Sequence, residues 1–577
     1  MAESVNDGAN KPPKEMSMEV RLVIAFILMG AVMWLTPYLF KSAAPPPPPK
    51  KTEQPVSTAA DGGGAKNPAA APAPASEPAP AAPSGAPSTP ASVQQPQPPL
   101  VIDTDLFTVA FSNQGANVRS WLLKKYKGND NKPLELVNTA SGLEFPFSLH
   151  FPGQQPTSKV NWTYYTQKVD ADGLGASFEF SDGHTVVRKS FKFQKNSYLS
   201  EVMAEVSVDG KPIPSMIEWR GGFGDLTVAN PSGAQRSLYY DVSQNKLIEQ
   251  NAKAAKNGPV TASGSFSFAG QADTYFASAF LPEGSTNLQV TTFADTVRTV
   301  LNEKPQPFTG VAVGDGDINR FELFIGPKDV DLLKRVNPKL EQVVDFGWFS
   351  ILAKPLFLIV NWLNDQFVHN FGWAIVVVTI VINFILFPLK LSNMKSMRKM
   401  QALKPQIDAI NDKYKNVGLR DPKKAEQNQE VMDLYKKHGV NPMGGCFPML
   451  LQLPFFFAFY KVFTVSVEMR GAPWLWVRDL SQADPYKVLP IVLIGTQFFM
   501  QRMTPQPNAD PNQQKMMMFM PLIFGVMFWS FPAGLVLYYL TSNLVGMGQQ
   551  WFFNNTAVAD QAARSVGPPP KKKNGRK

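Results

Sequence analysis

Thirty-eight consecutive positions, 516–553, hold no Asp, Glu, Lys or Arg, and no other feature of the chain restricts its fold as much. As one helix the stretch would run about 57 Å, nearly twice the ~30 Å hydrocarbon thickness of a bilayer. Pro532-Ala533-Gly534 sits near its middle, so a tight helical hairpin is predicted. Further apolar runs are Leu22 to Phe40, Trp373 to Leu389, Phe447 to Val465 and Val488 to Met500. Lys461 is the only charged residue in any of them. With the hairpin divided into Met516 to Phe531 and Leu535 to Phe553, the count is six spans. Ser42-Ala43-Ala44 after the first run looks like a cleavage site, but Pro45 follows at once. That run also exceeds the roughly 7–15 apolar residues of a signal peptide, so it is read as a retained anchor.

The whole-chain mean hydropathy of −0.14 hides these spans because other segments offset them. Residues 42–99 hold 17 of the 51 prolines, and Val56 and Val93 are their only large aliphatics. Such a segment buries no core and reads as a stiff spacer. From Leu100 to about Val344 the pattern alternates with period two, as in Leu106 to Phe111, Val187 to Phe193 and Glu322 to Ile325. Asp182-Gly183 and Gly314-Asp315-Gly316 supply turns. One large antiparallel sandwich is predicted, with carbohydrate or protein as candidate ligands. Residues 345–370, rich in aromatics but carrying Lys354, Pro355, Asn361, Asn364 and Asp365, read as an amphipathic helix in the membrane interface.

Charge sets the orientation, because positive loops stay cytoplasmic. Between Lys390 and His438 there are 12 Lys/Arg and 6 Asp/Glu, a net +6, and from Asn554 onward 6 against 1, a net +5. Of the chain's +10, these two segments supply +11, leaving −1 elsewhere. Six spans then place both termini in the cytoplasm and the sandwich outside. Within the inner loop, Met400, Leu403, Ile407, Ile410 and Tyr414 form one helical stripe, and Ala425, Asn428, Met432 and Tyr435 another. A helical hairpin over 390–439 is predicted, serving either self-packing or docking of a cytosolic partner.

Chemistry in the spans is neutral. Thr379 and Asn383 lie four apart; Gln452 is the strong polar residue of its run; Tyr539, Asn543, Gly546 and Gln550 follow spacings of 4, 3 and 4. Interhelical hydrogen bonds worth about 0.6 kcal/mol each account for such residues, and so does a shared wet cavity. With Lys461, near one end of its run, as the only charged residue in the spans, a proton relay or ion-coupled transporter is disfavoured. Cys446 is the single cysteine and the four histidines are scattered, so neither a disulfide framework nor a metal site is expected. No nucleotide-binding motif, cofactor or catalytic constellation is evident, and the reading is a non-enzyme.

Asn441-Pro442-Met443-Gly444-Gly445-Cys446-Phe447-Pro448, then Gln452-Leu453-Pro454, and Phe531 to Tyr539 followed by Ser542-Asn543-Leu544 resemble the signatures of the bacterial YidC membrane protein insertases. Asp345 to Phe349, Lys354 to Phe357 and Phe324 to Lys328 support the match. The resemblance implies an α-helical polytopic membrane protein of six transmembrane helices: a 22–40 anchor after cytoplasmic residues 1–21, and five helices forming an insertase core over 371–553. It also implies a periplasmic all-β super-sandwich over 100–344, while composition and charge mark a Pro/Ala-rich linker over 41–99 and a basic cytoplasmic tail over 554–577. Carried over by position, Thr379, Asn383, Gln452, Phe456, Tyr539 and Asn543 would line a hydrophilic groove. Asn383 stands where the family usually has arginine, which puts the groove's positive charge in doubt. Implied partners are nascent inner-membrane proteins, the Sec translocon, membrane lipids, and the ribosome through the cytoplasmic loop and basic tail. The tail's lysines suit ribosomal RNA or anionic lipid equally. The competing class is an anchored envelope protein whose sandwich binds or modifies carbohydrate.

Overall fold

The computed structural model describes residues 95–556 apart from 229, 284–286, 416–422, 441–446, 505–518, 520 and 524. The expected anchor 22–40, most of the 41–99 linker, the tail beyond 556 and five positions of 516–531 lie outside the described residues.

Alternation builds the first half. A four-stranded sheet runs β1 (Leu100–Asp103), β2 (Phe107–Ser112), β3 (Asn117–Lys127) and β4 (Pro133–Glu135) in that order. The larger sheet takes β5 (Ser148–His150), β6 (Thr166–Val169), β7 (Gly175–Ser181), β8 (Thr185–Phe193), β9 (Leu199–Val208), β10 (Lys211–Pro212) and β11 (Ser215–Trp219). It continues with β12 (Arg236–Asp241), β13 (Lys246–Gln250), β14 (Val260–Ala272), β15 (Phe276–Pro282), β16 (Asn287–Thr299), β17 (Asn302–Gly316) and β18 (Ile318–Pro327). Its main path is β5-β11-β17-β16-β14-β15-β18-β9-β8-β7-β6. Every pairing is antiparallel, for example Phe191 opposite Val202 and Ser278 opposite Ile325. Inward positions of β2 and β8 carry Phe107, Val109, Phe111, Val187, Phe191 and Phe193, all buried. Each contributes about 1.5–3 kcal/mol of burial. Lys189 occupies an inward position of β8, where its Nζ donates to the carbonyls of Phe147 (2.7 Å), Gly115 (2.8 Å) and Ala116 (3.3 Å). Burial pulls that lysine down to about 7.

Helices follow: α1 (Val330–Val336), α2 (Ser350–Leu363), α3 (Phe371–Ile385), α4 (Phe387–Lys413), α5 (Lys423–Lys437), α6 (Phe447–Val465), α7 (Val488–Met503) and α8 (Ala533–Asn554). Among the described residues no single helix is long and apolar enough to cross a membrane, although Ser350–Val368 and Phe371–Ile385, bent by 116° at their junction, pass together. The predicted span Trp373 to Leu389 is divided at Leu386, which ends α3 and starts α4. The turn predicted at 532–534 is present. Pro532 precedes α8, and the backbone N–H groups of Ala533 and Gly534 donate to the Gln482 and Leu480 carbonyls at 2.7 and 2.9 Å.

The α4–α5 pair packs Met400, Leu403 and Ile407 of α4 against Tyr435 and Val440. Its second stripe differs from expectation: Ala425 and Asn428 are exposed, and Gln427 is buried instead, its Nε2 donating to Asn411 Oδ1 at 2.7 Å. A hydrogen-bonded amide takes the seam where small-residue periodicity pointed one residue away.

The sandwich is pinned to the helices through the loop between α6 and α7. Arg470 Nη1 meets Asp225 Oδ2 at 2.5 Å, Arg470 Nη2 donates to the Lys127 carbonyl at 2.8 Å, and the guanidinium lies 5.0 Å from the Tyr275 ring. Glu341 pairs with Lys334 and Lys354, both at 3.3 Å, tying α2 to the segment below the sandwich.

Candidate functional site

Polar side chains of α3, α6, α7 and α8 converge inside the helical half. Asn370 caps α3, accepting the Trp373 backbone N–H at 3.2 Å. Three turns on, Thr379 returns its hydroxyl to the Ile375 carbonyl at 2.6 Å and Asn383 Nδ2 donates to the Thr379 carbonyl at 2.8 Å. Both side chains are thus held against their own helix, and both residues are buried. The outward-directed acceptor is Asn383 Oδ1, which receives Ser542 Oγ of α8 at 3.3 Å and Lys390 Nζ of α4 at 2.6 Å. Asn383 also lies in the last turn of α3, where carbonyls have no intrahelical donor, and Gln549 Nε2 supplies one at 3.1 Å.

A second group begins about one turn from Ser542 along α8. Gln452 of α6 donates to the Tyr538 hydroxyl, and Gln497 Nε2 of α7 donates to the Tyr539 hydroxyl at 3.0 Å. Tyr538 stacks on Phe459 at 4.2 Å and Tyr539 on Phe528 at 5.2 Å. Phe456 meets Phe528 and Phe531 edge to face at 5.9 and 6.1 Å. From Tyr538 to Gln549 this polar track covers about 16 Å of helix, roughly half the hydrocarbon thickness.

Of the sequence-predicted residues, Thr379 and Asn383 therefore share one cluster, while Gln452, Phe456 and Tyr539 belong to the aromatic cluster. Asn543 is buried, and among the described residues neither its Nδ2 nor Gln549 Oε1 has a hydrogen-bond partner. Sequence reading missed Lys390, Gln497, Tyr538, Ser542 and Gln549. Tyr538, Ser542 and Gln549 form a stripe adjacent to Tyr539, Asn543 and Gln550, and periodicity does not choose between two polar stripes 100° apart. Gln497 was legible as the one amide in the apolar part of its run.

The outward faces are the reverse. Val377, Val381, Phe384 and Ile385 of α3, Ile491, Val492 and Phe499 of α7, and Leu544, Trp551 and Phe552 of α8 are exposed, while Ser542, Asn543, Gln549 and Gln550 are buried. Such apolar exteriors around polar interiors suit a lipid solvent. Among the described residues, no group of His, Cys, Asp and Glu suits a metal ion. His184 pairs with Asp209 on the sandwich surface at 2.8 Å and His150 packs 5.3 Å from Phe293, so neither joins the site.

Two family models match the chain: one described as the YidC periplasmic domain over residues 99–359, and one described as 60Kd inner membrane protein over 362–561. The membrane protein insertase YidC of Geotalea daltonii is 35% identical over 479 residues, 80% of this chain and 87% of that protein. That of Geobacter metallireducens is 33% identical over 570 residues, 94% of this chain and 100% of that protein. A crystal structure of an active YidC insertase with its first transmembrane domain resolved overlaps 78% of this chain and 91% of its own, with 21% identity and a TM-score of 0.36.

Proposed function

The chain belongs to the YidC family of membrane protein insertases, and we propose that its buried amide and hydroxyl track is the path along which nascent segments enter the inner membrane. It is a membrane protein insertase with a periplasmic domain, acting on nascent membrane proteins. The carbohydrate reading of the sandwich is not favoured, since family matches extend through both halves of the chain. A protein of this family is not a member of an enzyme class.

The finer reading is a groove. Thr379, Asn383, Gln452, Phe456, Tyr539 and Asn543 line it, and Ser542, Gln497, Tyr538 and Gln549 join them. The observation that carries it is the inversion of polarity: buried amides on helices whose exposed sides are Val, Ile, Leu, Phe and Trp. Each unsatisfied polar group taken into hydrocarbon costs several kcal/mol. A polar track reaching about halfway through the bilayer shortens the distance over which a hydrophilic segment bears that cost. Burial of the following ~20 apolar residues in lipid drives the step forward. No nucleotide is required in this scheme.

Topology completes the proposal: six spans, both termini cytoplasmic and the sandwich periplasmic, as the +6 loop and +5 tail favour. α2 lies in the interface, with Trp348 and Ile351 almost fully exposed and Ala353, Leu356 and Phe357 facing the protein. The Sec translocon, lipids, and the ribosome at the hairpin and basic tail are the proposed partners. Deleting most of residues 100–340 while keeping the helices should preserve rescue of an insertase-depleted strain. If rescue fails while the helices accumulate in the membrane, the essential activity lies in the sandwich and the groove reading falls.

A further inference from the structure

Below the sandwich, the segment leading into the helices encloses a cavity of about 320 Å³, at the small end of the range for ligand pockets. It lies between α1, the turn at 340–343 and the start of α2. Val330, Val344 and Phe346 give it apolar walls, while Glu341, Asp345 and Lys354 bring charges of both signs. Glu341 pairs with Lys334 and Lys354, both at 3.3 Å, and an ammonium with three donors keeps others for a second partner. Lys461 of α6 packs on Gly347, which also lines the cavity: an added Cβ there would come 2.9 Å from Lys461 Cε. Lys461 Nζ stands 3.9 Å from Asp345 Oδ2. Asp345 Oδ1 accepts the Gly347 backbone N–H at 2.7 Å, yet its side chain is 66% exposed. Cations with spare donors and an open carboxylate thus surround one small space. Trp348 and Ile351, next in sequence to the lining residues Gly347 and Ser350, are 96% and 91% exposed. An uncovered tryptophan and isoleucine beside lysines match the boundary between lipid headgroups and acyl chains.

We propose that this cavity is a headgroup site for a phosphoethanolamine lipid of the leaflet facing the sandwich, with the phosphate taken by Lys354 and Lys461 and the primary ammonium by Asp345. This rests on the reading of α2 as an interfacial helix. A zwitterion fits because the site carries both signs. A phosphoglycerol lipid would satisfy the lysines but set its anion beside Asp345 and Glu341 with no cation of its own. The quaternary ammonium of a phosphocholine lipid has no N–H for Asp345 to accept. A soluble zwitterion of the same size would leave Trp348 and Ile351 uncovered, whereas acyl chains leaving the cavity cover them.

The test uses the full chain in detergent micelles, titrated with dioleoyl lipids bearing phosphoethanolamine, phosphocholine or phosphoglycerol headgroups, with bound lipid counted by native mass spectrometry. The wild-type chain should bind the phosphoethanolamine lipid about tenfold more tightly than either of the others, the scale of one charge-assisted hydrogen bond. Asp345→Asn keeps an acceptor for the Gly347 N–H and should erase the preference over phosphocholine. Lys354→Gln should weaken both of those lipids alike. Equal wild-type affinities for phosphoethanolamine and phosphocholine, tighter binding of phosphoglycerol, or an undiminished preference in Asp345→Asn each overturns the proposal. A spin label on Ile351→Cys, in a Cys446→Ser chain in nanodiscs, tests the interfacial reading separately; relaxation by dissolved oxygen rather than by a water-soluble nickel chelate is expected. If the nickel chelate dominates, α2 is not interfacial and both readings fall. If oxygen dominates while the headgroup preference is absent, the lipid site alone falls.

Discussion

Arg470 fastens the two halves of the molecule, and replacing it should cost more than any exposed ion pair. Its side chain is 8% exposed and that of Asp225 is 1%, with 2.5 Å between Nη1 and Oδ2. Arg470→Met leaves a buried carboxylate without its cation and removes the donor to the Lys127 carbonyl at 2.8 Å. Breaking one side of a buried pair costs about 3–5 kcal/mol. Asp225→Asn keeps acceptance from Thr227 Oγ1 at 2.6 Å but leaves the guanidinium unpaired, so its cost should be similar. The double variant carries neither orphaned charge, and its loss should fall short of the sum by about 2 kcal/mol or more. Urea unfolding of the four proteins in micelles, followed by tryptophan fluorescence, measures the cycle. Because the pair is buried, the coupling should persist at high salt. Additive losses within about 0.5 kcal/mol would refute the idea that this pair joins sandwich and helices.

Glu468, in the turn after α6, is pushed up to about 8 by burial, with the Asp329 and Asp331 carboxylates adding to it. Folded, it holds a proton that the unfolded chain releases near 4.5, so stability is complete below that pH and declines as pH rises through 8, by up to about 1.4 kcal/mol per unit. Glu468→Gln should flatten the urea midpoint between pH 5 and pH 8; parallel slopes in both proteins would remove Glu468 as the cause. On α8, a Cβ at Gly534 would come 2.5 Å from Phe463 Cε1, whereas one at Gly548 meets nothing within 4 Å. Gly534→Ala should therefore cost about 1–3 kcal/mol from overpacking, and Gly548→Ala should cost nothing or stabilise, as thermal unfolding in micelles will read.

Strands were the most legible part of the sequence, because period two is unambiguous when one face is buried: Val187 to Phe193 lies within β8, and Glu322 to Ile325 within β18. Helix ends were less legible. Leu386 interrupts an apolar run that reads as continuous to Leu389, and nothing in hydropathy marks that break. In the site, Thr379 and Asn383 were accessible because two polar residues four apart stand out in an apolar helix. Lys390 was counted only as loop charge, since its meaning depends on a side chain turning back across the helix junction. Ser542 and Gln549 were hidden by the equally polar neighbouring stripe.

In the proposed mechanism, incoming segments pass along the polar interior. A photocrosslinker at Gln452 or Tyr539, and separately at Phe384 on the exposed face of α3, should be compared for capture of a stalled nascent membrane segment. Strong capture from Gln452 and Tyr539 is the result predicted. Capture from Phe384 alone, with the two interior positions silent, would rule out passage along the polar interior.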